Sequence, residues 1–290
     1  MAIQTATSGN LENAQNVILT ESRLTAEHNA PCWNLVEKFT LPQGAKSITV
    51  PKVGSFSVGD LTDGIDITSS QDIAMSTTDL TCSEVGGKVI LTDKLVRQQN
   101  DNVWAMVGRL LGDAMARKRD KDVIALFPGL NGGTTLGVAG MDLTLTNAAA
   151  CVARTRKYNL PSPVSCVHHP NAIYKLVRNA AGIGVTYYPG VISGLQEDKL
   201  RDFWQIKLNG VNFYETANIV PDATDDGYGA VLSKSALCTL EGLAPKTERQ
   251  RDASLRGDEL VIVADYGCFE LDDSYGFPML YDCADPATTT

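Results

Sequence analysis

Between Asn100 and Phe127 the sequence carries one apolar stripe long enough to organise everything around it. Val103, Val107, Leu110, Leu111, Ala114 and Met115 recur at i, i+4, i+7, i+8, i+11 and i+12, the spacing that gathers side chains on one face of an α-helix. Asp101 stands where an N-cap belongs, and Pro128-Gly129 ends the pattern. At 1.5 Å per residue such a helix extends about 40 Å, well beyond the usual length in globular domains. Anything else the chain forms has to be laid along this rod. Its second half, Arg117 to Asp122, is a mixed charge run that reads as a solvated or inter-subunit face.

The segments on either side differ in period. Residues 1–46 are polar and mixed, with a weak amphipathic stretch around Leu11, Val17 and Leu19 and an aromatic cluster from Trp33 to Phe39; they read as an arm. From Ser47 to Thr92 the period is two: Ile48/Val50, Ile65/Ile67 and Leu80/Cys82 alternate with polar residues. Between Gly54 and Gly64 the chain is rich in Gly and Asp and must turn. An extended hairpin projecting from the body is expected there. After the long helix, five glycines between Gly129 and Gly140 mark a linker. Thr146 then offers an N-cap for a helix through Tyr158, Val164 to Val167 reads as a buried strand, and His168-His169-Pro170 opens a second helix with Ile173, Leu176, Val177 and Ala180 on one face and Gly182 as its stop. Asn209-Gly210 joins Ile206/Leu208 to Val211/Phe213, the strongest hairpin signal in the chain. Leu260 to Val263 and Phe269 to Leu271 read as closing strands.

Chemistry is harder to find. Neither phosphate-binding glycine motif occurs, nor a nucleophile elbow, nor a zinc helix. Seven cysteines form an odd set without a C-x-x-C pair, which points to reduced core thiols and to neither a disulfide framework nor a zinc knuckle. Only His28, His168 and His169 are present. Cys166 beside His168-His169 is the one arrangement that resembles a nucleophilic pair, although residues so close in sequence at a strand-to-helix junction do not face one another. Asp222 to Gly227 has a calcium-loop flavour, but Thr224 and Ser233 occupy positions where acidic ligands are needed, so an acidic turn is expected. No cofactor and no metal are expected. A net charge of −9 opposes a general grip on nucleic acid. The start of the sequence lacks the order of a signal peptide and no apolar run approaches a membrane span, so synthesis in the cytoplasm is expected.

Taken in order, these segments resemble the HK97-like major capsid proteins of tailed bacteriophages. The polar arm, the loop before Thr77-Thr78-Asp79-Leu80, the run Lys88 to Val96 and the long helix are similar to that family's N-arm, E-loop and spine helix. Thr144-Leu145-Thr146-Asn147, Pro163 to Leu176, Gly210 to Pro221 and Ala264 to Phe269 are similar to its apical domain and closing strands. Each motif is weak alone; their shared order carries the resemblance.

The resemblance implies an α+β subunit of the HK97-like capsid fold. Residues 1–46 would be the N-terminal arm and 47–76 the E-loop. Residues 77–140 would form a peripheral domain with its spine helix at about 100–127, 141–259 the apical α/β domain, and 260–290 strands returning to the peripheral domain and a tail. It implies inter-subunit contacts through Phe56, Val58, Asp60, Leu61, Asp63 and Ile65 of the loop and Leu11, Val17 and Leu19 of the arm. The face Val103, Val107, Leu110, Leu111 and Met115 would lie on the body. It further implies a non-enzymatic shell protein that assembles as hexamers and pentamers in the bacterial host cytoplasm and ends in the virion, loosely enclosing double-stranded DNA. Portal, scaffolding and decoration proteins are the expected partners, and no membrane. With no scaffolding-like segment ahead of the arm, a separate scaffolding protein or a cleaved precursor is expected. The alternatives are an encapsulin-type cellular compartment and, in a different class, an enzyme using Cys166 and His169.

Overall fold

The computed structural model describes residues 31–54, 75–98, 103–187, 206–208 and 210–286, with positions 58, 60, 63, 64 and 72 between them. The expected contacts Leu11, Val17, Leu19, Phe56, Leu61 and Ile65, the strand positions Ile65/Ile67 and the cap Asp101 lie outside the described residues.

The elements run in chain order as α1 (Cys32–Leu35), β1 (Glu37–Thr40), β2 (Ser47–Val53), β3 (Met75–Thr81), β4 (Ser83–Thr92), α2 (Asp93–Gln98), α3 (Val103–Ile124), α4 (Leu145–Lys157), β5 (Val164–His168), α5 (Pro170–Tyr187), β6 (Ile206–Leu208), β7 (Val211–Glu215), β8 (Asp226–Ser233), β9 (Leu237–Asp252), β10 (Gly257–Glu270) and β11 (Gly276–Asp282). They build three sheets: β1-β9-β10-β4, β11-β8-β5-β7-β6, and the two-stranded β2-β3. The chain is α+β.

The rod expected from the apolar stripe is α3. Val103, Val107, Leu111 and Met115 are buried against Leu91, Ile262, Ala264 and Tyr266 of the first sheet. Leu110 is not part of that face and is 40% exposed; Ala114 is also exposed. The reason is geometric. At 3.6 residues per turn each i, i+4 step drifts about 40° around the axis, so the sheet follows the row 103-107-111-115 obliquely and the i+7 and i+11 positions fall off its trailing edge. Replacing Leu111 with aspartate puts a charge under that sheet without a partner, and we expect the soluble yield to be lost; wild-type expression and melting temperature would show the face to be misassigned.

The charge run also departs from expectation at one residue. Asp120, read as part of a solvated face, is fully buried. The helix ends at Ile124, and residues 127–133 continue as a 3-10 turn whose Phe127 and Leu130 are buried.

The second sheet carries α4 and α5 on a core of Leu143, Val152, Cys166, Leu176, Phe213 and Met279. Thr144, and not Thr146, caps α4: its side chain accepts the Asn147 N–H. Gly182 does not stop α5, which continues to Tyr187. The hairpin β6–β7 forms as its turn signal predicts, with Gly210 at φ +90°, a conformation glycine alone adopts freely. Leu260 to Val263 and Phe269 to Leu271 belong to one strand except for Leu271, since β10 runs unbroken from Gly257 to Glu270. Residues 237–252 lie in the first sheet, between β1 and β10, so in terms of sheets the chain crosses back at Leu237, inside the 141–259 segment.

Candidate functional site: an assembly surface

Among the described residues, the strand pair β2–β3 is buried at its Leu80 end and exposed at its Val53 end. Near its base, Leu80 is fully buried, with Ile48 and Val50 packed on Cys238, Leu240, Phe39 and Phe269. Pleating explains the choice: in strands with a two-residue period one face meets the core and the other meets solvent. Lys52 pairs with Asp272 at 2.7 Å, tying the hairpin to the turn before β11. Beyond that ion pair the side chains lose their support. Val53 is 58% exposed and Met75 63%, and Val58, further out, is 89% exposed; Asp60 and Asp63 are exposed too. Val53 and Met75 are paired across the two strands, so two exposed apolar side chains lie side by side, the kind of surface an inter-molecular contact uses.

A second cluster anchors α1 to the body. Trp33 sits edge-on to Tyr266, ring centroids 5.5 Å apart, and the Arg119 guanidinium lies over both rings, 4.5 Å from Trp33 and 5.2 Å from Tyr266. Arg119 also pairs with Glu241 at 2.7 Å, and the Tyr266 hydroxyl donates to Asp122. Beneath them, Asp120 accepts the Cys32 N–H at 2.8 Å, the Asn218 side-chain amide at 2.9 Å and the Thr216 hydroxyl at 3.3 Å. One turn of α3 thus holds α1 and the loop after β7 together. Sequence reasoning missed this hub, although Asp120, Val123 and Phe127 share helical spacing and the last two are buried.

Nothing of this kind surrounds the residues considered for catalysis. Cys166 is fully buried with its Sγ 3.5 Å from Met279 Sδ, and burial pushes its thiol well above the usual range; a thiol kept protonated is a poor nucleophile. His169 turns its Nδ1 to the Asn171 N–H. His168 is fully buried and its pKa is pushed down to about 3, chiefly by burial and then by His169. Asp222 caps its own turn, accepting from the backbone of Thr224 and Asp226, while Asp226 accepts the Gly140 N–H. Those carboxylates are engaged in holding loops. Among the described residues no cluster of His, Cys, Asp and Glu has the arrangement to hold a metal ion, all seven cysteines are free thiols, and no helix is long and apolar enough to cross a membrane.

No protein-family model and no curated protein sequence matches the chain. Solved structures do. The head of Helicobacter pylori bacteriophage KHP40 superposes with a TM-score of 0.71 at 10% identity, covering 98% of this chain and 100% of that one. The capsid of cyanophage P-SCSP1u gives 0.70 at 18% identity over 92% and 93%.

The chain has the fold of phage capsid subunits.

The same capsid fold is seen in the SrpI encapsulin of Synechococcus elongatus, with a TM-score of 0.64 at 13% identity and full coverage of both chains. Identities this low leave the architecture as the shared property, over 92% to 100% of the chain.

Proposed function

We propose that this chain is a major capsid protein, a structural subunit that assembles with copies of itself into the icosahedral head shell enclosing phage double-stranded DNA. The observation that carries the reading is the end-to-end superposition on capsid subunits, and the exposed apolar end of β2–β3 supports it. In this reading the segment 47–76 is the E-loop, reaching over an adjacent subunit, and residues 1–46 are the N-terminal arm. The segment 77–140 with its spine helix α3 is the peripheral domain, 141–259 the apical domain, and 260–290 the return. Val58, Asp60 and Asp63 are contact residues, with Phe56, Leu61, Ile65, Leu11, Val17 and Leu19 beside them in sequence. A permanent shell needs interfaces on the order of 2,000 Å² per contact, and two projecting segments per subunit supply such area. The net charge of −9 suits a container that encloses DNA without gripping it. Hexamers and pentamers, with portal, scaffolding and decoration proteins, are the partners of this reading, the host cytoplasm its site of assembly and the virion its destination.

Electron microscopy with light scattering on the purified chain, alone and co-expressed with its genetic neighbours, tests this directly. Closed uniform particles or capsomer rings are expected; a monomer or dimer under every condition would refute it. Deleting Gly54 to Gly64 should leave a folded monomer that no longer closes into particles, and normal particles from that deletion would contradict the role given to the loop. The full-length match to an encapsulin favours a second reading, a cellular compartment shell. Particles that copurify with an enzyme cargo and without nucleic acid would decide for it.

A further inference from the structure

The junction between β5 and α5 carries a device that shell building does not call on. His168 ends β5 and is fully buried. Its Nδ1 accepts the backbone N–H of His169 at 2.9 Å, and Nδ1 of His169 accepts the backbone N–H of Asn171 at 3.2 Å. A ring nitrogen that accepts an N–H carries no proton of its own, so both imidazoles are held neutral by the main chain they support.

Against this junction the segment 282–286 is strapped down. The Asn171 side-chain amide donates to the Cys283 carbonyl and to Asp285, each at 2.9 Å. Lys175, on the same face of α5, reaches Asp282 at 2.5 Å and Asp142 at 2.9 Å, and Arg178 adds a longer contact to Asp142. Cys283 is buried with its Sγ 3.9 Å from His168 Nδ1. The other groups facing the His168 ring are the Met279 backbone of β11, which favours the protonated ring, Tyr281 of the same strand, its ring centroid 5.9 Å away, and Gly229 of β8, which leaves no room for a Cβ beside it. Glu215 of β7 is its backbone partner across the sheet. The charges nearest Cys283 are Asp282, Lys175 and Asp226. Among the described residues no carboxylate bonds the His168 ring, and its Nε2 has no hydrogen-bond partner.

We propose that this junction is an acid-operated latch for residues 283–286. A proton from solvent taken up on Nδ1 of His169, the less buried ring, and then of His168 turns each acceptor into a donor. The bond to the backbone N–H breaks, and a positive charge arrives at the N-terminus of α5, where the helix dipole opposes it. Asn171 is displaced with the first turn of the helix, and the strap it holds comes free. The latch follows from the geometry of these residues and stands whether or not the chain builds a shell.

Cys283 is its built-in reporter. We would treat the full-length protein with dithiodipyridine, which reacts with thiols in acid, and map labelled peptides by mass spectrometry. Cys283 is expected to react at least about tenfold faster at about pH 5 than at about pH 7.5, while Cys238, buried beside β2–β3 in the first sheet, stays silent. In the double variant His168→Asn with His169→Asn, Oδ1 replaces the Nδ1 acceptor without titrating, and Cys283 should stay protected at both pH values. Equal Cys283 rates in the wild type would overturn the latch, as would joint exposure of Cys283 and Cys238 or an unchanged acid response in the double variant. Should the double variant fail to fold, His169→Asn alone must reduce the acid gain; an undiminished gain overturns the proposal equally.

Discussion

Replacing Asp120 with alanine is expected to lower folding stability by about 3–5 kcal/mol, read as a fall in the denaturant midpoint at unchanged slope. The carboxylate is fully buried and accepts from Cys32, Asn218 and Thr216. Alanine leaves three buried donors without an acceptor, each costing about 1–3 kcal/mol, and returns part of that sum because a buried charge is no longer desolvated. Asn218 Oδ1 is without a partner, so one orphaned donor can turn to it as an acceptor, which holds the loss to the lower part of the summed range. Asp120→Asn keeps the shape and one acceptor but turns an amide N–H₂ toward other donors, and should fall between wild type and alanine. A loss under about 1 kcal/mol would mean that α1 and the loop after β7 are held by packing alone. Because Asp120 bonds both elements at this turn of α3, the alanine variant should also loosen the Trp33 ring, visible as a shift in tryptophan emission.

The elements with a local cause were legible in the sequence. Gly210 supplies a positive φ that the β6–β7 turn requires, and the i, i+4 row of α3 is buried as its spacing predicts. Elements with a tertiary cause were not. In β9 every residue from Gly242 to Arg251 is exposed, so no apolar period exists to read; pairing with β10 alone makes Lys246 to Arg251 a strand. In β8 the opposite holds: nearly all residues from Asp226 to Ser233 are buried, and covering both faces erases the alternation. Gly182 looked like a helix stop, yet a stop of that kind needs a left-handed residue, and α5 passes through it as helix. Asp120 hid within a run of charges, because its donors come from α1 and from the loop after β7, far away in sequence. The pairing of β2 with β3 was legible in the alternation of Ile48/Val50 and Leu80/Cys82. Which of their residues touch a neighbour depends on a second copy, and one chain's sequence has no term for that.

Acidification is expected to destabilise the native state well before its carboxylates titrate. His168 has an ordinary pKa of 6.5 and is held at about 3 by burial while the junction is closed, so between those values the unfolded chain, or a chain whose latch has opened, binds a proton that the closed native state refuses. A base depressed in the folded state contributes stability that is complete above its ordinary pKa and is lost as pH falls toward the folded value. The loss is about 1.4 kcal/mol per pH unit and at most about 5 kcal/mol in all. Asp93, Asp222, Asp272 and Asp282 are also held low, by Arg251, by Thr224, by Lys52 and by Lys175. Their share of stability is fully present above the ordinary carboxylate range and is lost only as pH falls through it, so it adds nothing to the decline above about pH 4.5. Glu270 works in the other sense: burial and Asp273 push its carboxyl up, which favours the native state as pH falls and makes the net slope shallower. Urea midpoints at about pH 7.5, 6 and 5 should therefore decline, and His168→Asn should flatten that decline while lowering stability at neutral pH only modestly. A wild-type midpoint that is level down to about pH 5 would mean that water reaches the His168 ring and that the core around Cys166, Tyr281 and Cys283 is looser than its packing indicates.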